Sequence, residues 1–207
     1  MDTFCHQYIL KFNLTLCLIK KKFLIMGRCK VWRPPNTWYE RQYVVPTNKN
    51  GCAYRSFWAW ASGDGPGDLV EIERRMTALD YRIILNDVLL PGVIGRYPLQ
   101  ERVYVVEDNS GVHTANIIRE WYENNPRLSR LPHPPKSPDL NFMENIWAKM
   151  VADSRANYVA NVDNLRERVV NSWEQLHGEA EYFAQLSASM PRRLQRVIEN
   201  NGWYTKY

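Results

Sequence analysis

The chain has 207 residues, of which 45% are hydrophobic and 24% charged, and its eight tryptophans and twelve tyrosines supply apolar surface for a large core. Residues 1–60 carry ten basic side chains against two acidic ones, so the rest of the chain has a net charge of −3 within the total of +5. This basic end indicates a polyanionic partner, either nucleic acid or an anionic membrane surface, unless it is simply a solvated face.

Cysteine spacing and hydropathy argue against a disulfide-rich, a membrane-spanning or a secreted protein. The four cysteines show neither C-x-x-C pairs nor zinc spacing, so we expect reduced, intracellular thiols and no disulfide framework. The apolar stretch Tyr8–Met26 is interrupted by Lys11 and by Lys20–Lys22. We therefore expect neither a membrane span nor a signal peptide.

The first half of the chain predicts strands and then a helix. Arg28–Arg33 is expected to be a short strand, and Tyr54–Ala61 is expected to pair with Leu69–Ile72 in a hairpin across a glycine-rich turn. Thr77 is expected to cap a helix that Pro91-Gly92 weakens or ends. The positions predicted on the apolar face of that helix are Leu79, Ile83, Ile84, Val88 and Leu89.

The second half alternates strand and helix and then becomes helical. Val103–Val106 is a short apolar run typical of a buried central strand, and a helix is expected over Thr114–Asn124. After a proline-rich loop, Asp139 is expected to cap another helix. The apolar stripe of that helix contains Leu140, Met143, Trp147 and Met150, and two further helices fit Val162–Leu176 and Pro191–Asn200. This order predicts a mixed α/β domain with helices packed on a central sheet.

Two carboxylates are candidates for a metal site. Asp108 follows the buried strand, at the end where an α/β sheet presents its ligand-binding groups, and Glu144 lies 36 positions later at a helix start. Such a pair could hold Mg²⁺, and paired metal ions serve phosphoryl transfer. Spacing alone favours structural roles, because acidic side chains are common in first helical turns.

The sequence motifs around these two residues are more specific than the spacing between them. Glu107–Ala115 reads EDNSGVHTA and Ser137–Trp147 reads SPDLNFMENIW, and both resemble the strongest signatures of Tc1/mariner-type DDE transposases. The resemblance extends from Lys11 to Tyr207. Its supporting matches are Lys11–Leu14, Lys30–Pro34, Tyr43–Thr47, the aromatic strand before Gly63–Gly65, Ser189–Arg193, Val197-Ile198 and Thr205–Tyr207.

The resemblance implies an RNase H-like fold, a central mixed sheet flanked by helices, with three acidic residues that gather two Mg²⁺ or Mn²⁺ ions. Asp108 matches the second acid of the family and Glu144 the third, as catalytic residues and metal ligands. The implied reaction is cleavage and strand transfer of transposon DNA in the nucleus, with a possible homodimer and no small-molecule substrate. We expect residues 28–160 to form the catalytic core and residues 161–207 a helical extension.

The beginning of the chain departs from the family pattern. The family supplies its first catalytic aspartate four positions before a phenylalanine, and counting back from Phe12 puts Tyr8 at that position. A tyrosine cannot replace a bridging carboxylate, because its phenol stays protonated at neutral pH. Cys17–Met26 looks like an insertion, with Lys20–Lys22 in no binding role. Residues 1–27 are thus expected to replace the first strand and turn, and the family's end-recognition region is missing, as in a truncated copy.

Three functions remain open from the sequence. The first is a DDE domain with an incomplete metal site that binds DNA weakly and non-specifically. The second is a working nuclease in which Glu107 or Asp139 supplies the third carboxylate. The third is a non-catalytic interaction module. His113 is expected to have a structural role, and the basic residues Arg192, Arg193, Arg196 and Lys206 are expected to lie on the surface unless they contact phosphate.

Overall fold

Strands of mixed direction form the central sheet of this chain. The computed structural model describes residues 15–24, 34–37, 40, 54–135, 137–155 and 162–202. Within them the strands pair in the order β3-β2-β1-β4-β5. β1 is antiparallel to β2 and parallel to β4, while β5 is parallel to β4. The strands are β1 (Thr15–Leu24), β2 (Tyr54–Ser62), β3 (Gly65–Ile72), β4 (Val103–Val106) and β5 (Leu128–Arg130).

Helices cover both faces of this sheet. In chain order they are α1 (Ala78–Ile84), a π-helical segment (Leu85–Leu89), α2 (Leu90–Arg96), α3 (Asn116–Asn124), a 3-10 turn (Pro138–Leu140), α4 (Met143–Arg155), α5 (Val162–Leu176), α6 (Ala180–Ala188) and α7 (Met190–Glu199). Helices α1 to α3 pack on one face and α4 to α7 on the other. The predicted α/β class is therefore confirmed. No helix in the described parts of the chain is long and apolar enough to cross a membrane.

The alternation of side chains along β1 divides the core in two. Leu16 and Leu18 lie in the cluster under α1 to α3, whereas Cys17, Ile19 and Phe23 lie in the cluster under α4 to α7. Successive side chains of a strand point to opposite faces, so a strand buried on both sides shows a continuous apolar run. The run from Leu16 to Ile19 has this pattern because β1 is central.

The prediction of an insertion at Cys17–Met26 is wrong as far as Leu24. This segment supplies most of β1, the strand at the centre of the sheet, and it pairs with β2 from Cys17 to Leu24. Three consecutive lysines are tolerated there because Lys20 and Lys21 are only partly buried and Lys22 is exposed, while Phe23 returns to the core. The domain boundaries predicted after residues 27 and 160 lie outside the described residues, as does the strand expected at Arg28–Arg33.

The helix expected after Thr77 is present, but its buried face and its end differ from the prediction. Thr77 is the N-cap, and it forms a reciprocal capping box with Asp80. Leu79 and Ile83 are more than half exposed, and Tyr81 takes the buried position instead. The helix also continues past Pro91, which lies at the start of α2 directly after the π-helical segment.

Other local predictions divide between confirmed and wrong. The hairpin of β2 and β3, the buried strand β4 and helix α5 are confirmed. Asp139 does not cap the next helix, because it lies in the 3-10 turn and α4 begins at Met143. The Asn141 side chain accepts the bond from the Met143 N–H instead, at 3.0 Å. Strand β5 and helix α6 were not predicted.

Candidate active site

Asp108 lies two residues beyond β4, at the carboxyl end of the buried strand, as predicted. Its Oδ1 accepts a hydrogen bond from the Ser110 N–H at 3.0 Å and lies 2.8 Å from Nδ1 of the buried His113. The hydrogen bond from His113 lowers the pKa of Asp108 to about 2. Burial lowers the pKa of His113, but the Asp108 and Glu107 carboxylates outweigh it and raise that pKa overall. The structural role expected for His113 fits this geometry.

The Glu107 side chain faces away from Asp108, toward Tyr81 in the core under α1 to α3. Its carboxylate accepts a hydrogen bond from the Tyr81 hydroxyl and pairs with Arg130 Nε at 2.8 Å. Burial raises the pKa of this carboxyl group. Arg130 also donates to the carbonyl oxygens of His113 and Asp108, which fixes the loop after β4. The Glu107 carboxylate is thus engaged with Tyr81 and Arg130 in this structure.

Glu144 lies in the first turn of α4 and faces β1. The Asn141 Nδ2 donates to the Leu18 carbonyl at 3.2 Å, so the start of α4 is tied to the central strand. On that strand Lys21 points toward α4, and its Nζ lies 2.9 Å from Glu144 Oε2. Both side chains are about one third exposed, at 34% and 32%. The Glu144 carboxylate, within the second motif, therefore has a cationic partner in Lys21.

The residue of β1 nearest the level of Asp108 follows from the parallel register. Thr15, Leu16 and Cys17 stand opposite Tyr104, Val105 and Val106. Continuing this register two residues beyond the paired segment brings Ile19 level with Asp108. Ile19 is 8% exposed and packs in the cluster under α4 to α7. At this level, β1 presents a hydrocarbon side chain.

The described residues do not fit a two-metal site. Among them no three His, Cys, Asp or Glu side chains come together in a way that could hold a metal ion. Asp108 is paired with His113, and Glu144 is paired with Lys21. Mg²⁺ and Mn²⁺ favour several oxygen ligands with uncompensated negative charge. This donor set supplies two carboxylates, of which Glu144 is already paired with a lysine and Asp108 with a histidine.

Two residues of this region were missed from the sequence. Lys21 was assigned to an insertion, although the pair Lys22-Phe23 offers a second match to the lysine and phenylalanine that follow the family's first acid. Arg193 is buried and not on the surface, and its guanidinium donates to the Asp139 carbonyl at 3.1 Å and to Asn145 Oδ1 at 2.8 Å. It therefore ties α7 to the 3-10 turn and to α4, the helix that carries Glu144.

Comparisons of the sequence with known proteins point to transposases. Residues 84–166 match the family described as DDE superfamily endonuclease. The chain is 29% identical over 182 residues to the transposable element Tc1 transposase of Caenorhabditis elegans, covering 87% of this chain and 64% of that protein. It is 29% identical over 175 residues to the Tcb1 transposase of Caenorhabditis briggsae, covering 84% of this chain and 62% of that protein. The chain thus spans less than two thirds of the length of both relatives.

Solved structures share the fold over nearly the whole chain. The Mos1 mariner paired end complex with Mn gives a TM-score of 0.79 at 17% identity, covering 99% of this chain and 61% of that one. The Mos1 transposase catalytic domain with Raltegravir and Mg gives 0.76 at 17% identity, covering 99% of this chain and 92% of that one. The fold is therefore the RNase H-like fold of that catalytic domain. Together with the family match and the relatives, this shared fold supports a Tc1/mariner-type DDE transposase catalytic domain.

Proposed function

We propose that this chain is a transposase-derived domain that binds DNA through phosphate contacts and is impaired in DNA cleavage and strand transfer. The observation that carries the proposal is the acid pair on β4 and α4, at the family's second and third positions, beside a β1 that offers Ile19 and Lys21. Asp108 and Glu144 would be the remaining catalytic ligands. Binding of Mg²⁺ or Mn²⁺ would be weak or absent in such a site.

The position of the missing first acid has two candidates. Counting back from Phe12 gives Tyr8, which lies outside the described residues. Counting back four positions from Phe23, within β1, gives Ile19. We favour Ile19, because its strand runs beside β4 and its register brings it level with Asp108. Either assignment leaves the set of three acids incomplete.

Cations on the second half of β1 and near it support a role in DNA binding. Burial lowers the pKa of Lys20, and the neighbouring charges of Lys22 and Arg75 lower it further. Lys22 and Arg75 are exposed. Three like charges gathered on one surface favour an anion, and a DNA backbone supplies anions at regular spacing.

The test is the salt dependence of duplex DNA binding, measured by fluorescence anisotropy between 50 and 200 mM salt. We expect log K to fall linearly with log salt concentration, by tenfold or more in K across this range, because phosphate contacts release counterions (roughly 0.9 per contact). A Lys20→Ala/Arg75→Ala variant should lower the slope by roughly two.

The matched control is Arg119→Ala/Arg192→Ala, which removes the same charge from exposed positions of α3 and α7. We expect it to leave the slope close to that of the wild-type chain. If both variants lower the slope equally, the contacts are spread over the surface and the Lys20 cluster is not the binding site. If the wild-type chain shows no salt-dependent binding, the DNA-binding proposal is wrong, and a protein-binding module becomes the better explanation.

Further parts of the proposal follow from the relatives. Tc1 and Tcb1 are transposases of transposable elements in nematodes, and a domain of this kind would act on nuclear DNA. A homodimer is included in the proposal, because the Mos1 structures include paired end complexes. The whole transposition reaction would need functions from the parts of the relatives that this chain does not span.

A further inference from the structure

Lys21 occupies a position in which its charge bears directly on the acid pair. Along β1, Cys17 and Ile19 contribute to the core under α4 to α7, and Lys21, two residues further along the same face, reaches Glu144 on α4. Strand geometry requires this alternation, so Lys21 cannot turn to the opposite face without a shift of register against β2. That register is fixed from Cys17 to Leu24.

The ion pair and a metal ion would compete for the same oxygens. The ammonium lies 2.9 Å from Glu144 Oε2. An Mg²⁺ ion on the same oxygen would sit at roughly 2.1 Å from it and therefore within roughly 5 Å of the ammonium. Two positive charges at that separation repel strongly in a partly buried site, since little solvent lies between them to screen the repulsion. The lysine must leave before a divalent ion can enter.

The rest of the donor set gives the metal ion no compensating ligand. Ile19 offers no oxygen at the level of Asp108, and Asp108 is held by His113 and by the Ser110 N–H. Glu144 already has a cationic partner in Lys21, and the Asp108 carboxylate is already hydrogen-bonded by two neighbouring groups.

We propose that Lys21 is an internal counter-cation that takes the place of the metal charge at Glu144, so that this domain is closed to divalent metal ions. The proposal rests on the assignment of Asp108 and Glu144 to the family's acid positions. It predicts that the β1 lysine, and not merely the loss of one acid, keeps metal out.

The experiment is a titration with Mn²⁺ alone, followed by the electron paramagnetic resonance signal of free Mn²⁺ and by the thermal midpoint of unfolding. We expect the wild-type chain to show no saturable binding and no shift of the midpoint. Lys21→Ser should bind Mn²⁺ at least tenfold more tightly than the wild type, and Ile19→Asp/Lys21→Ser should bind more tightly still, with a midpoint that rises with Mn²⁺ concentration.

The controls separate a specific site from loose surface binding. Adding Glu144→Gln to Lys21→Ser should abolish the gain, whereas Lys22→Ser, which removes an exposed lysine of the same strand, should not create it. Ile19→Asp puts a carboxylate into the core and could unfold the domain, so the decisive comparison is Lys21→Ser with the wild type.

The proposal is overturned if Lys21→Ser, shown to be folded by circular dichroism, binds Mn²⁺ no more tightly than the wild type. It is also overturned if the wild type binds Mn²⁺ in a saturable way that Glu144→Gln removes. The titration contains no DNA, so failure of the DNA-binding proposal would leave this result unchanged, and the two outcomes are distinguishable.

Discussion

The pair of His113 and Asp108 makes the stability of the fold depend on pH. The pKa of Asp108 is lowered, so its contribution to stability is present above the ordinary carboxyl pKa and is lost as pH falls toward about 2. The pKa of His113 is raised, so its contribution is complete below the ordinary imidazole pKa and is lost as pH rises through the folded-state pKa. The pair therefore stabilises the fold most between about pH 4 and 6.5.

We expect His113→Gln to lower the free energy of unfolding by about 1.5 kcal/mol at pH 6, the lower end for a charge-assisted hydrogen bond, because Asp108 is half exposed to solvent. At pH 9 the difference from the wild type should be smaller. Urea unfolding at both pH values measures this. His177→Gln is the control, since His177 is exposed, and an equal pH dependence in all three proteins would contradict the assignment.

At the scale of elements, α4 is held to the sheet by aromatic side chains. Trp147 is fully buried, stacks on Trp173 of α5 with ring centroids 5.6 Å apart, and meets the edge of Phe23 of β1 at 5.5 Å. It thus joins three elements, one of which carries Glu144. Aromatic pairs of this geometry add to the free energy that burial alone supplies.

Trp147→Ala should therefore lower the free energy of unfolding by about 3–5 kcal/mol, because it leaves a large cavity between α4, α5 and β1. Chemical denaturation measures the change. Leu99→Ala removes a side chain that is 93% exposed and should change stability by less than about 0.5 kcal/mol. A small effect of Trp147→Ala would mean that α4 is not anchored through this residue.

At the scale of the whole molecule, the site exists only where β1, β4 and α4 meet. Its capacity for catalysis therefore depends on what β1 contributes to the acids on the other two elements. Nicking of supercoiled DNA in the presence of Mn²⁺ reads out that capacity directly. Under the proposed function the wild-type chain should have little or no such activity, because the set of three acids is incomplete in that proposal and Glu144 is paired with Lys21.

Ile19→Asp/Lys21→Ser should gain nicking activity at least tenfold above the wild type, whereas Tyr8→Asp alone should not. Adding Glu144→Gln to the repaired variant should remove the gain, which excludes a contaminating nuclease. Activity in Tyr8→Asp would show instead that the strand alignment through Phe12 is the correct one. Nicking by the wild type that Glu144→Gln removes would mean that the chain is a working enzyme.

The sequence by itself determined the fold class and predicted the two acid positions, because both depend on local patterns. The apolar run Val103–Val106 predicts a buried strand from its own residues. Asp108 and Glu144 each lie inside a short contiguous motif, so their positions can be read from the sequence alone. Helix α5 and the β2–β3 hairpin followed from periodicity and turn residues in the same way.

Only the tertiary structure decided which strand is central and what it brings to the site. Thr15–Leu24 contains three lysines and has no clean alternation, and its strand character comes from pairing with β2 and β4 on either side. The environments of the Lys21, Arg193 and Leu79 side chains were likewise decided only by the tertiary structure. Whether such a side chain is paired, buried or exposed depends on residues far away in sequence, such as Glu144 for Lys21, which no local pattern encodes.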